Sequence, residues 1–169
     1  MKELPIRKKI RLQGYDYSKP GYYFVTICVE DGHEILGTFD VGATVPGRPP
    51  LYDEHLKIKL TPLGITIKEI LDFTNDNIVR IDKYIIMPNH IHMIIVLKSK
   101  AGIGADSAGD RGRSPLQYVV RNIKSYITKQ AGYSIWQKSF YDRIIRSRKE
   151  YENICKYIEE NPQKWKDIY

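Results

Sequence analysis

Apolar and polar positions switch between a period of two and a period of 3.6 along this chain, and the switches mark its elements. Residues 22–29, Tyr-Tyr-Phe-Val-Thr-Ile-Cys-Val, are β-branched and aromatic and predict a buried strand. Gly and Pro are frequent over 30–60, where Gly42 to Pro50 reads as loop and the alternation from Leu56 to Leu60 predicts a short edge strand. Thr61-Pro62 places an N-cap before a proline at the first helical position, and the helix runs through Ile65, Ile67, Ile70 and Leu71 to about Asn75. Strands follow over Ile78 to Met87 and His90 to Lys98, with Pro88-Asn89 as a tight turn or bulge between them. Ala101 to Gly112 is a glycine-rich loop. Ser114-Pro115 opens a second helix that ends near Gly132, Phe140 to Ser147 is a fourth strand, and a last helix covers about Arg148 to Asn161 and stops at Pro162.

The order is therefore β-α-β-β-α-β-α. It predicts an α+β, ferredoxin-like (RRM-like) fold: a four-stranded antiparallel sheet with helices on one face, plus a C-terminal helix, in one domain over residues 1–169.

Composition narrows the function. Hydrophobic residues make up 42% of the 169, enough for a core. The longest apolar run, Met93 to Leu97, is far short of the roughly 20 residues of a membrane span. The basic N-terminus is followed by no apolar segment of a secretory signal, and Cys28 and Cys155 each sit in an apolar stretch as reduced core residues would. These features predict a cytoplasmic protein with no membrane partner. The net charge of +7 is uneven: residues 111–149 hold ten basic residues against Asp142 alone, a local net of +9. Such asymmetry points to a polyanion, or to ordinary solvated helix faces.

The chemistry concentrates in two places. In His90-Ile91-His92 the two imidazoles project from one strand face while Ile91 points into the opposite layer, which makes half a metal site or a hydrogen-bonded pair. The last helix carries an apolar stripe of Tyr151, Ile154, Cys155 and Ile158. At about 100° per residue, Tyr157 lies roughly 120° from the centre of that stripe. Asn161, four residues on, shares its face and offers an amide oxygen suited to a hard cation. The bland alternative is a surface tyrosine and a helix-ending asparagine.

Tyr84-Ile85-Ile86-Met87-Pro88-Asn89-His90-Ile91-His92 resembles the HUH signature (His, hydrophobic residue, His) of the single-tyrosine transposases. Ile135 to Asp142, followed by Tyr157-Ile158-Glu159-Glu160-Asn161-Pro162, resembles the REP-associated tyrosine transposase branch, and the Tyr22-Phe24-Thr26 strand fits the opening of that family. The resemblance spans roughly residues 15 to 165. It implies a DNA transposase or endonuclease that cuts and rejoins single-stranded DNA near hairpins through a phosphotyrosine. The nucleophile maps to Tyr157, and a divalent cation, Mg²⁺ or Mn²⁺, maps to His90, His92 and Asn161. Relatives often carry a histidine where this chain has Arg143, so any role of that histidine does not transfer. Arg111, Arg113, Arg121, Lys124, Lys138, Arg143 and Arg146 are candidate DNA contacts, and Tyr118, Tyr126, Trp136 and Tyr141 are candidates for base stacking or for core. A non-catalytic nucleic-acid-binding protein and a replication-initiator or relaxase nickase are the rival readings, with monomer and homodimer both open. Neither a P-loop nor an RNP-type Gly-Phe-x-Phe pattern occurs.

Overall fold

The computed structural model describes residues 19–39, 57–98 and 114–166. The expected loops Gly42 to Pro50 and Ala101 to Gly112, and Arg111 and Arg113, lie outside the described residues. The elements are β1 (Gly21–Cys28), β2 (Gly37–Phe39), β3 (Ile58–Leu60), α1 (Pro62–Phe73), β4 (Val79–Ile86), β5 (His90–Leu97), α2 (Pro115–Ala131), β6 (Tyr141–Ile145) and α3 (Arg148–Lys166). No described helix is long and apolar enough to cross a membrane.

The main sheet has the order β4-β5-β1-β6 with every pair antiparallel, the ferredoxin-like arrangement expected from the alternation. Alternate residues of the two central strands divide between two cores. Tyr23, Val25 and Ile27 of β1 and Ile91, Met93 and Ile95 of β5 are fully buried beneath Ile67 and Leu71 of α1 and Leu116, Val120, Ile123 and Ile127 of α2. On the other face Ile94, Val96 and Ile145 pack against Ile154 and Ile158 of α3, with Phe24, Ile85, Tyr151 and Cys155 around them. The strand β5 is buried on both faces, which is why it carries an unbroken apolar run after His92.

Local chemistry fixes the ends of the helices. Thr61 Oγ1 accepts from the Gly64 N–H at 3.1 Å to start α1. Ser114 and Gln117 close a full capping box on α2, which ends at Gly132 with φ 80°. Ser147 Oγ accepts from the Glu150 N–H at 3.2 Å to start α3. In β4 the register slips between Ile81 and Lys83, so Asp82 is a bulged extra residue. The Tyr151 hydroxyl donates to the Asp82 carboxylate at 2.6 Å, and Lys83 pairs with Glu159, so α3 is tied to the β4 side of its face.

Two elements depart from the sequence expectation. The edge strand near Leu60 pairs with β2 in a separate two-stranded sheet, and three residues of Gly-Thr-Phe carry too little alternation to predict that partner. The last helix does not stop at Pro162 but continues to Lys166. Pro162 gives the helix no N–H for the Ile158 carbonyl, a loss that usually breaks a helix interior. Here the extra turn is held by a tertiary contact, Trp165 packed on His90 at 5.2 Å between centroids, and by the intrahelical pair of Lys164 with Glu160 at 3.0 Å.

The start of α1 supports the β4–β5 turn through one chain of contacts. The Leu36 carbonyl accepts from the Thr61 N–H, and the Leu36 N–H donates to the Pro88 carbonyl at 2.9 Å. A Cβ on Gly64 would come within 2.0 Å of the Leu36 carbonyl oxygen. Gly64→Ala must therefore displace backbone. We expect it to lower stability by about 1–3 kcal/mol, read from the midpoint of urea unfolding at unchanged slope.

Candidate metal and nucleophile site

The strand β5 begins with His90 and His92, whose side chains face α3. Their Nε2 atoms converge to 3.1 Å. Each ring is oriented through its other nitrogen. Asn89 Nδ2 donates to the Gly32 carbonyl at 3.1 Å, which turns its Oδ1 to His90 Nδ1 at 2.8 Å. An amide oxygen only accepts, so His90 carries its proton on Nδ1 and leaves a lone pair on Nε2. Thr26 Oγ1 lies 2.8 Å from His92 Nδ1, and a hydroxyl serves either tautomer there.

The two-residue turn that sets this geometry is tethered on both carbonyls. The Val29 N–H donates to the Asn89 carbonyl and the Leu36 N–H to the Pro88 carbonyl, while the Met87 N–H closes the hairpin on the His90 carbonyl. Burial pushes the pKa of His90 down to about 4, and burial together with the neighbouring His90 pushes that of His92 down to about 3. Both rings are therefore neutral at physiological pH, the state in which imidazole binds a metal. Two converging neutral nitrogens, each with its second ring nitrogen held by a polar partner, form a donor set that fits a divalent cation. Among the described residues no third His, Cys, Asp or Glu joins them.

The helix α3 brings Tyr157, Asn161 and Trp165 to this point at successive turns. The Tyr157 hydroxyl stands 3.4 Å from His92 Nε2, its ring 5.3 Å from the His92 ring and edge-on to Phe24 at 5.9 Å. Tyr157 is 39% exposed, and Lys164 sits over its ring at 5.6 Å. Trp165 covers His90. Asn161 lies midway between two residues that both touch the histidine pair and is only 6% exposed, so its face of the helix looks onto the pair. The fold thus gathers His90, His92 and Tyr157 at one end of the sheet, with Asn161 buried one turn further along α3. Sequence reasoning missed three neighbours. Asn89 carries only a turn signal in the sequence, Thr26 only a strand signal, and Trp165 lies beyond the expected helix end. The i+4 and i+8 spacing from Tyr157 was the signal for Trp165.

Tyr151, the other tyrosine of α3 near this face, is differently placed. Its hydroxyl is committed to Asp82, whose hydrogen bond holds its pKa well above the ordinary phenol value, and its ring meets Tyr22 edge-on at 5.6 Å.

The basic candidates do not form one surface. Arg121 and Lys138 are exposed, ion-paired with no described residue, and border a cleft of about 500 Å³ between α2 and the segment leading to β6. Lys124, in the same cleft, donates to the Gln137 and Ser139 carbonyls, so its ammonium holds that segment in place. Arg143 pairs with Glu150 at 2.7 Å on the α3 face, and Arg146 is exposed beside it. Trp136 is core at 3% exposure, whereas Tyr126 and Tyr141 are exposed.

Residues 61–161, from the N-cap of α1 to Asn161, match the family model described as "Transposase IS200 like". The chain is 31% identical over 179 residues to an uncharacterized protein of Haemophilus influenzae, covering 94% of this chain and 89% of that one. It is 30% identical over 96 residues, 56% of this chain and 51% of the other, to the REP-associated tyrosine transposase of Escherichia coli. In fold it is similar, with a TM-score of 0.51 at 24% identity, to a REP-associated tyrosine transposase bound to a REP hairpin; the match covers 91% of this chain and 73% of that one. With a family match over more than half its length, this chain belongs to the IS200-like transposases, a family of DNA-transposing enzymes.

Proposed function

We propose that this chain is a single-tyrosine HUH endonuclease and transposase that cuts and rejoins single-stranded DNA beside hairpins, with Tyr157 as nucleophile. The observation that carries this reading is the approach of the Tyr157 hydroxyl to within 3.4 Å of His92 Nε2, at the point where both histidine nitrogens converge. His90 and His92 would hold Mg²⁺ or Mn²⁺ together with the Asn161 amide oxygen. Bound there, the cation would polarise the scissile phosphate and offset charge developing on it. Tyr157 Oη attacks phosphorus, the bond from phosphorus to the 3′-oxygen breaks, and that oxygen leaves as a 3′-hydroxyl after taking up a proton. The 5′-phosphate remains on the tyrosine, and the reverse attack by a 3′-hydroxyl rejoins the strand. The hairpin bound by the structural relative supports a hairpin-flanked substrate for this chain.

The test is incubation with labelled hairpins taken from the flanks of its own gene, with and without Mn²⁺. A metal-dependent nick with a detergent-stable protein–DNA adduct is expected. Binding without cleavage would instead make the protein a DNA-binding module, and cleavage without an adduct would make it a metal-activated water nuclease.

Asn89 orients His90 rather than reaching a ligand itself. Asn89→Ala is expected to weaken Mn²⁺ binding by about 10–100-fold, measured by calorimetric titration, with hairpin affinity unchanged. Hairpin affinity should fall with salt, by about 0.7 log units per tenfold salt for each single-strand phosphate neutralised. Reversing Arg121 and Lys138 to glutamate is expected to flatten that slope without moving the cut. Lys124 is unsuited to this test, because its loss would release two carbonyls of the segment before β6.

A further inference from the structure

We infer that Tyr141 is a base-binding residue, on whose ring a nucleobase flanking the scissile phosphate stacks; this rests on the function proposed above. Tyr141 is the first residue of β6 and the cross-strand partner of Thr26, which is in turn the partner of His92. Residues directly opposite in a sheet share a face, so the Tyr141 side chain rises on the same side as His92 and Tyr157, two strand spacings or about 10 Å from His92.

Among the described residues no element covers that side of the site, where α3 meets β6 only further along the strand, through Arg143 and Glu150. The helix α3 is tied to β4 through Tyr151–Asp82 and Lys83–Glu159, and Trp165 covers the site beyond His90. Towards β6 the floor is Phe24 and Thr26, both half-buried, and β6 is the last strand of the sheet. A strand reaching Tyr157 from this side passes over Tyr141. The Tyr141 ring is 54% exposed and makes no hydrogen bond or ring contact with a described residue. The other large exposed aromatics lie elsewhere: Tyr22 packs on Tyr151, Tyr157 faces His92, Phe73 and Tyr126 line the cleft between α1 and α2 on the far face, and Tyr133 borders a smaller cleft with Pro62 and Leu63 there. A ring beside a nucleophile, with no partner and no cation over it among the described residues, suits stacking on a nucleobase, which every base can supply.

The experiment places 2-aminopurine in turn at each position of the single-stranded flank of a hairpin substrate and reads its fluorescence on binding to the Tyr157→Phe protein, which keeps the DNA uncut. Quenching at one position is expected, lost in the added Tyr141→Ala or Tyr141→Leu change and kept in Tyr141→Phe. Affinity for the flank should fall about 10-fold for Ala and Leu. With Tyr157 intact, Tyr141→Ala should raise KM about 10-fold while kcat stays near wild type. Equal quenching and affinity in the Ala and Phe variants would overturn the inference, as would a loss confined to kcat. Failure of the wild type to form an adduct would sink the proposed function instead, while the quenching still decides the role of Tyr141.

Discussion

Replacing Tyr157 by phenylalanine is expected to lower DNA cleavage by about 10³-fold or more and to eliminate the covalent adduct, with fold, metal binding and hairpin affinity unchanged. The substitution removes one oxygen, whose nearest described partner is His92 Nε2 at 3.4 Å, and keeps the ring that meets Phe24 and His92. Water cannot replace the lost hydroxyl at comparable rate, because it lacks the positioning that α3 gives the phenol. Tyr151 is the natural substitute on the same helix, yet its hydroxyl is hydrogen-bonded to a carboxylate that opposes its ionisation. Digestion of the adduct and mass spectrometry of the DNA-linked peptide checks the assignment. A peptide containing Tyr151 or Tyr141 would refute it and keep the enzyme class. Undiminished cleavage by the phenylalanine variant would refute the phosphotyrosine route altogether.

Much of this site was readable because it rests on short-range periodicity. Alternation on β5 sent Ile91 into one core and both histidines to the other face, whatever the neighbouring strands did. The stripe of Ile154 and Ile158 identified the buried side of α3, and Tyr157 stood off it. What periodicity could not supply was the outcome of competition between local and tertiary terms. Pro162 carries a strong local signal to stop a helix, and the packing of Trp165 on His90 outweighs it. Asn89 is a good turn former by sequence, and only the Gly32 carbonyl turns its amide into a holder for His90. The basic stretch fared worst, because charge counted along the chain says nothing of direction. The fold sends Arg121 and Lys138 to one side and Arg143 to the other, and spends Lys124 on two carbonyls. Trp136, plausible as a stacking platform by type, is the bridge partner of Val29 and belongs to the core.

Removing either histidine tests the other half of the chemistry. His90→Ala and His92→Ala are each expected to lower cleavage by about 10³-fold or more and to abolish measurable Mn²⁺ binding, while hairpin affinity stays within a few-fold of wild type. The two Nε2 atoms meet at 3.1 Å, and no other described His, Cys, Asp or Glu can replace either one. A cation left with one imidazole and an amide would be held too weakly to stay near the phosphate at ordinary metal concentrations. The two losses should also be nearly equal and non-additive: once either nitrogen is gone the cation is gone, and the second substitution has little left to remove. A purely structural pair predicts the opposite pattern. Each buried imidazole would then contribute packing and one hydrogen bond, each alanine would lower the melting temperature, and cleavage would fall only as far as folding does. Glutamine at either position separates the two cases, since it refills most of the volume and restores a polar group. Glutamine variants that fold like wild type yet neither bind Mn²⁺ nor cut would establish the pair as ligands. Histidine variants that cut at the wild-type rate in the presence of chelator would remove both the cation and the imidazole beside Tyr157 from the mechanism.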